Sequence, residues 1–392
     1  MTDPARLAQS AQETLERLIA FDTTSRRTNL ELIEFAEQRL HACGASMQRV
    51  ANADGSKANL IARIGPAADG GVLLSGHTDV VPVDGQPWTS DPWVLTRRDG
   101  RLYGRGTADM KAFLALALAA APDFAAAGLK RPVQFAFSYD EEVGCIGAPS
   151  LIQELVRAGP RPSVVIVGEP TNMETVAGHK GIATFKVTVM GKEAHSSLTH
   201  LGVSAIMEAA KVIKAITALA EELEQGADPD SPFKPKGASL TIGLIKGGTA
   251  VNILARECVF TFDLRAPPGV DARRVLQPVF DLVERLDAEL KVRAPEAGVK
   301  IEARSNTPPL RPDAEGAAEV LARRLAGDNG PARVVSYAAE AGQFQEAGFS
   351  TVICGPGSIE QAHQPDEYLE IAQLERGVAF MSRLVEHLAA PA

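Results

Sequence analysis

The sequence has few cysteines and few aromatic residues, and it has no long apolar run. Its 392 residues include four cysteines but no Cys-x-x-Cys pair, which argues against a disulfide framework or a zinc finger. The longest apolar stretch, residues 112–122, is too short to cross a bilayer. The first residues show no signal-peptide pattern. We therefore expect a soluble, cytoplasmic protein.

An excess of positive charge is also missing. The formal net charge is -9 with both signs mixed along the chain, so a nucleic-acid partner or an anionic membrane surface is disfavoured. Apolar residues make up 45% of the chain, which is enough for a sizeable core. The length favours two domains.

The hydrophobic pattern changes near residue 179 and again near residue 307. Before residue 179 and after residue 307, predicted strands alternate with helices, as in an α/β domain. Between them the order is β-α-β-β-α-β with half-exposed strands, which is the ferredoxin-like pattern. The sequence thus predicts a discontinuous α/β domain of residues 1–178 and 307–392. Residues 179–306 would form an inserted α+β lid domain.

A short stretch after an apolar strand carries the first functional signal. Residues 71–74 are typical of a buried strand, and His77 and Asp79 follow directly. Open α/β sheets bind ligands beyond the carboxyl ends of their strands. A neutral imidazole is a common metal ligand, and a nearby carboxylate can orient it. The alternative is a loop histidine that only makes a hydrogen bond.

Further ligand-type residues follow later turns and predicted strands: Asp109, Asp140, Glu141, Glu142, Glu169 and His363. Taken singly, each has a simpler explanation. Asp109 could cap the next helix, the acidic triplet could be a solvated loop, and Glu169 could lie exposed at the sheet edge. Adjacent carboxylates repel one another unless a cation or proton compensates.

Taken together, the residues favour a metal centre. All-oxygen sites suit Mg²⁺ or Ca²⁺, whereas mixed imidazole and carboxylate ligands suit Zn²⁺, Mn²⁺ or Co²⁺. A set in which one carboxylate bridges suits two ions, typically about 3.5–4 Å apart. One acid would then be left to act as a base.

Five motifs make the pattern more specific: YDEEVGC at residues 139–145, VGEPT at 167–171, HSSLTH at 195–200, GGTAVN at 247–252 and CGPGSIEQAH at 354–363. Through them the whole chain resembles the di-zinc family of aminoacylases, glutamate carboxypeptidases, succinyl-diaminopimelate desuccinylases and acetylornithine deacetylases. The last of these subfamilies is the most similar. The resemblance implies a mixed-sheet, zinc-exopeptidase-like catalytic domain and an inserted lid that also forms a homodimer.

The resemblance also implies a role for each residue of the site. His77 and Glu169 would hold one Zn²⁺, Glu142 and His363 the other, and Asp109 would bridge them; Co²⁺ could substitute. Asp79 would orient His77, and Glu141 would be the general base. His195, from the lid of the partner subunit, would stabilise the oxyanion.

The implied substrate is an N-acyl amino acid, and the implied reaction is deacetylation of N-acetyl-L-ornithine in arginine biosynthesis. Arg265 would bind the α-carboxylate, with Asn252 and the Gly355 amide as further contacts. Many relatives have Gly-Thr-Asp where this chain has Ala-Glu-Ala-Gly at residues 339–342. We therefore expect Glu340 to face a cationic substrate side chain.

Two other functions stay open at this stage. One is a sister activity, either removal of succinate from succinyl-diaminopimelate or deacetylation of another N-acyl amino acid. The other is a metal-binding scaffold without turnover. An acid at Glu141 argues against the scaffold, because a binding module needs ligands but no base.

Overall fold

The computed structural model describes residues 3–313 and 316–391. Residues 1–2, 314–315 and 392, which the predicted domain ranges include, lie outside the described part. The chain divides into two compact units. The large unit comprises the residues up to Gly178, Leu310–Val334 and the residues from Ala339 onward. The small unit comprises His179–Pro309 and Val335–Ala338.

The amino-terminal part of the large unit alternates between helices and strands. Its helices are α1 (Pro4–Ile19), α2 (Leu30–Ala42), α3 (Lys111–Ala126) and α4 (Ala148–Ala158). Its strands are β1 (Ser46–Ala51), β2 (Ala58–Ile64), β3 (Val72–His77), β4 (Thr96–Arg98), β5 (Arg101–Tyr103), β6 (Val133–Ser138), β7 (Val164–Val167) and β8 (Val176–His179).

The small unit has the predicted β-α-β-β-α-β order. Its elements are β9 (Gly181–Met190), a 3₁₀ turn (Thr199–Leu201), α5 (Ala205–Gln225), β10 (Ser239–Gly247), β11 (Glu257–Ala266), α6 (Ala272–Arg293) and β12 (Gly298–Thr307). The strands form an antiparallel sheet in the order β10-β11-β9-β12. Alternate residues of β11 are buried, so one face of the sheet packs on the helices. This is the expected ferredoxin-like arrangement.

The chain then completes the large unit. The elements are α7 (Ala317–Ala326), β13 (Arg333–Val335), α8 (Ala341–Glu346), β14 (Thr351–Ile353), β15 (Tyr368–Glu370) and α9 (Ile371–Ala389). Within the described residues, eight strands form one mixed sheet in the order β1-β2-β6-β3-β7-β14-β8-β13. Its central members β6, β3, β7 and β14 are parallel. The predicted α/β class with a mixed sheet is confirmed.

Helix α3 explains how the sheet is held. Its residues Lys111–Ala121 are all buried, because the helix packs between α1 and α9 against the sheet. Small side chains allow this close approach: a Cβ on Gly377 of α9 would lie 2.3 Å from Leu116 Cδ1. In the part of the chain that the structure describes, every helix is too short or too polar to span a membrane.

Strand β3 ends in His77, and the turn that leads into this strand depends on Gly71. All six residues Val72–His77 are buried, and Gly71 precedes them with φ 72°. A Cβ at Gly71 would lie 1.9 Å from Pro132 O, at the start of the neighbouring strand β6. Only glycine fits both the positive φ and this close backbone contact.

We predict that Gly71→Ala destabilises the protein much more than Gly70→Ala. Both positions have a positive φ, 72° and 103°, so alanine costs about 1–2 kcal/mol at either one. No described atom lies within 4 Å of a Cβ at Gly70, whereas the clash at Gly71 should cost about 1–3 kcal/mol more. Urea unfolding followed by circular dichroism measures both losses. Equal losses would contradict this account of the strand entry.

Candidate metal centre

The central parallel strands end at the same edge of the sheet, and each leads to a predicted ligand. Strand β3 ends in His77, β6 leads to Glu142, β7 leads to Glu169, and β14 leads to His363. Asp109 comes from the turn before α3, and the peptide that follows it is cis. The topology therefore gathers residues that are far apart in the sequence.

The side chains of these residues meet around Asp109. Asp109 Oδ1 lies 3.0 Å from His77 Nε2, and Asp109 Oδ2 lies 3.3 Å from His363 Nε2. His77 Nε2 is also 3.8 Å from Glu169 Oε1, and His363 Nε2 is 3.0 Å from Glu142 Oε2. Each oxygen of Asp109 thus faces one histidine and its carboxylate neighbour.

The donor set and two orphaned oxygens fit divalent metal ions. Among the described residues, Glu142 Oε1 and Glu169 Oε1 are buried without a hydrogen-bond partner. A buried carboxylate oxygen without a donor is unfavourable unless a cation faces it. Mixed imidazole and carboxylate donors are those that Zn²⁺, Mn²⁺ and Co²⁺ prefer. The residues at this edge of the sheet are therefore suited to hold metal.

The pKa values of the nearby glutamates also favour a bound cation. Burial, together with the charge of Asp109, raises the pKa of Glu142 to about 7. Burial raises the pKa of Glu141 to about 8, and burial with the charge of Asp109 raises the pKa of Glu169 well above its usual range. These carboxyl groups bind protons tightly because they are buried close to one another and to the charge of Asp109. A cation would relieve the same repulsion.

The pKa values of His77 and His363 are raised, and the pKa of Asp109 is lowered. Hydrogen bonds to Asp109 and Glu142 raise the pKa of His363 to about 10. Burial lowers the pKa of His77, but the hydrogen bond to Asp109 and the charge of Glu169 outweigh it, so the pKa is raised. Burial likewise opposes ionisation of Asp109, yet the bonds from His363 and His77 hold its pKa well below the usual range. Asp109 is thus the carboxylate that is most readily charged.

Glu141, the predicted base, lies beside this set. Its carboxylate lies within 4.8 Å of the ligand atoms of His77 and Glu169, and its Oε1 accepts a hydrogen bond from Cys145 Sγ at 3.1 Å. Position alone would allow Glu141 to bind metal or to act as a base.

Asp79 orients His77 differently from the prediction. The backbone oxygen of Asp79 lies 2.8 Å from His77 Nδ1, whereas its carboxylate oxygen is 3.7 Å away. A carbonyl oxygen only accepts, so Nδ1 carries the proton and Nε2 faces Asp109. The Asp79 carboxylate instead accepts from Glu141 N at 3.0 Å and Glu142 N at 3.3 Å. It fixes the backbone of the acidic loop.

Glu340 does not take the position that we expected for it. The residue is 1% exposed, and its two carboxylate oxygens accept from Ser75 Oγ at 2.6 Å and Ser138 Oγ at 2.7 Å. Burial raises its pKa. The predicted contact with a cationic substrate is therefore corrected: both oxygens are already bonded, and Glu340 joins the ends of β3 and β6 from within the fold.

Gly355 also differs from its predicted role. Its N–H donates to Thr171 Oγ1 at 3.2 Å, and its carbonyl accepts from Thr171 N and Met173 N. A Cβ here would lie 2.0 Å from Gly168 O. The substrate-binding prediction is corrected, because the amide is occupied. Gly355 instead lets the ends of β7 and β14 approach closely.

The remaining predicted residues lie in the small unit. His195 and Asn252 are exposed and adjacent: His195 pairs with Ile253 in a short bridge, and Ser196 N donates to Asn252 O at 2.9 Å. Arg265 lies on β11, where its Nε donates to Asp263 Oδ2 at 2.8 Å. The substrate roles of these three residues stay predictions.

Sequence reasoning missed two residues, Ser25 and Glu367, that bond to predicted site residues. Ser25 Oγ donates to Asp79 Oδ2 at 2.7 Å, and Glu367 binds the backbone of Asp109. Glu367 lies just after His363 in a turn-rich stretch, so an acid beside a predicted ligand was the available signal. The signal for Ser25 is absent, because its partner is 54 residues away.

Most of the chain is similar to known proteins. The model of peptidase family M20/M25/M40 matches residues 73–387. An acetylornithine deacetylase of Myxococcus xanthus is 39% identical, covering 95% of this chain and 96% of that protein. An acetylornithine deacetylase of Proteus mirabilis is 34% identical, covering 94% and 92%.

Among solved structures, the fold matches a dinuclear metal-binding peptidase of the M20 family from Bacillus subtilis. The TM-score is 0.65 and the identity is 18%, with 98% of this chain and 99% of that chain covered. At this identity the likeness shows the fold alone, whereas the family match and the two relatives span most of the chain. The chain therefore belongs to peptidase family M20/M25/M40 and is a hydrolase of that family.

Proposed function

We propose that the protein is a metal-dependent amidohydrolase that converts N-acetyl-L-ornithine to L-ornithine and acetate. The observation that carries this proposal is Asp109 lying between His77 and His363, with Glu141 beside them. The substrate comes from the relatives, which are named acetylornithine deacetylase at 39% and 34% identity. The reaction would serve arginine biosynthesis in the cytoplasm.

We infer that the centre holds two divalent ions, Zn²⁺ in the first place, with Co²⁺ able to substitute. His77 and Glu169 would hold one, Glu142 and His363 the other, and Asp109 both. When bound, the ions would polarise the acyl carbonyl and make water a better nucleophile near neutral pH. The orphaned oxygens of Glu142 and Glu169 support this assignment.

Glu141 would move the proton. In its ionised form it takes a proton from the attacking water, and it then gives this proton to the nitrogen of the leaving ornithine. Its burial favours the first step, because a desolvated carboxylate is a stronger base than an exposed one. The Cys145 thiol, 3.1 Å from Oε1, would hold the carboxylate in one orientation.

The small unit would bind the substrate. We propose that His195 donates a hydrogen bond to the acyl oxygen as negative charge develops on it. Asn252, which lies beside His195, would bind the amide, and Arg265 would bind the α-carboxylate. The exposure of His195 and Asn252 supports these roles, because both side chains are open to a ligand or a partner.

We further propose that the small unit forms a homodimer and that His195 acts across it. Strand β10 is an edge strand of its sheet, and it exposes two large apolar side chains, Leu244 at 71% and Ile245 at 59%. Exposed apolar edge strands favour pairing with another chain. A second copy of the small unit would cover this edge.

A substrate panel tests the proposed reaction. Chelated protein resupplied with Zn²⁺ or Co²⁺ should release acetate from N-acetyl-L-ornithine faster than from N-acetyl-L-methionine. It should release little succinate from N-succinyl-diaminopimelate. Acetate and succinate are quantified separately in each reaction. Preferential succinate release would replace the proposal with the desuccinylase activity, and no turnover of any substrate would refute it.

Glu141→Gln tests the base. The amide keeps the shape of the side chain but cannot accept the proton, so kcat should fall about 10²- to 10⁴-fold. Bound metal, measured by atomic emission, should stay unchanged. Glu16→Gln, at an exposed glutamate of α1, is the matched control and should keep full activity. Loss of one ion from Glu141→Gln would instead make Glu141 a ligand, and retained turnover would refute its role.

Sedimentation velocity tests the dimer. The sedimenting species of the wild type should have twice the chain mass of 41.5 kDa. Replacing both Leu244 and Ile245 with arginine should produce monomers, because charge on the apolar edge opposes pairing. Val292→Arg is the control, since Val292 is an apolar residue of α6 that is 88% exposed. A wild-type monomer, or a variant that stays dimeric, would contradict the proposed interface.

A further inference from the structure

Glu367 is a buried carboxylate that the proposed reaction does not use. It is 1% exposed and accepts four hydrogen bonds. Oε1 accepts from Ala108 N at 2.8 Å and Asp109 N at 3.0 Å. Oε2 accepts from Gly106 N at 2.9 Å and Arg105 Nη1 at 2.8 Å. With four donors around its two oxygens, Glu367 has no lone pair directed toward the metal centre and is not a ligand.

These bonds connect two distant chain segments that each supply a proposed ligand. We call residues 104–110 the Asp109 turn and residues 358–367 the His363 loop. Glu367 and Asp109 are 258 positions apart, yet the carboxylate of one binds the backbone N–H of the other. Glu367 also lies four residues after His363. The position of His363 relative to Asp109 is therefore coupled to this carboxylate.

A second connection closes the network through Gln86. Its Nε2 donates to the backbone oxygen of His363 at 2.9 Å. Its Oε1 accepts from Arg105 Nη2 at 2.5 Å and from Trp88 Nε1 at 3.0 Å. Arg105 thus bonds both Glu367 and Gln86, and each of these bonds a different chain segment. The side chains of Glu367 and Gln86 thus both connect the His363 loop to other segments.

The loop needs such support because of its backbone. His363 has φ 64° and Asp366 has φ 54°, both in the left-handed region that residues with a side chain seldom adopt. Such conformations persist where surrounding contacts enforce them. His363 is also the more exposed of the two histidines, with a side chain 51% accessible against 1% for His77. Packing alone therefore holds it less firmly.

We propose that Glu367, with Arg105 and Gln86, is a positioning residue that sets how tightly the ion shared by Asp109, Glu142 and His363 is bound. The inference rests on the metal centre of the proposed function. It adds that affinity at this position depends on hydrogen bonds outside the ligand set. Partners of this kind commonly change metal affinity about 10- to 100-fold when they are removed.

Glu367→Gln is the direct test. The amide group replaces one acceptor oxygen with an N–H₂ that would face N–H donors, so two bonds are lost and the loop is held less firmly against the Asp109 turn. Chelated protein is titrated with Co²⁺ by calorimetry, and the Co²⁺ absorption bands are recorded. We expect one binding event to weaken about 10- to 100-fold, with changed bands, while the other keeps its affinity. Glu16→Gln, at an exposed glutamate of α1, should bind both ions as the wild type does.

Two further variants keep the inference falsifiable. Glu367→Asp keeps the charge and should recover part of the lost affinity. If Glu367→Gln does not fold, Gln86→Ala carries the test: it removes the second connection and should weaken the same event by a smaller factor. Retained affinity for both ions in a folded Glu367→Gln, or in Gln86→Ala where that variant carries the test, would overturn the inference while leaving the proposed function intact. A wild-type protein that binds no ion would overturn both.

Discussion

The large unit is built around one electrostatic constraint, the burial of several carboxylates next to two imidazoles. Like charges that are buried close together repel strongly, and only bound protons or cations relieve this repulsion. Protons relieve the repulsion when they bind Glu141 and Glu142, and the raised pKa values of these two residues, about 8 and 7, reflect this. Bound metal ions would relieve the same repulsion, and they agree with the unpaired oxygens of Glu142 and Glu169 and with the family. The rest of the site holds this unfavourable cluster together.

The sheet supplies most of that support. Strands β6, β3, β7 and β14 are parallel neighbours, so their carboxyl ends meet at one edge although the chain reaches them far apart. Close backbone approach at Gly168 and Gly355 keeps the last two ends together. Glu340 ties β3 to β6 through Ser75 and Ser138. A ligand set of this kind therefore depends on strand packing as much as on its own side chains.

Much of the fold and the ligand set could be predicted because the signals are local. Apolar runs, their period and the residues that end them indicated the α/β class, the β-α-β-β-α-β insertion and a set of ligand-type residues at the strand ends. The resemblance then singled out His77, Asp109, Glu142, Glu169 and His363 as the proposed metal ligands. The short strand β8 is not distinguishable in this way. It has only four residues, and its strand character comes from pairing with the sheet.

The sequence by itself determined which residue types stand at the strand ends, and therefore what chemistry the site can do. Only the tertiary structure decided which of those residues face the centre. Glu340 looked like a substrate contact, Gly355 like an amide donor and the Asp79 carboxylate like the partner of His77. Each is instead bonded elsewhere, and Glu367 carries a role that no motif indicated. The reason is physical: a hydrogen bond between segments 258 positions apart exists only after the strands between them have packed.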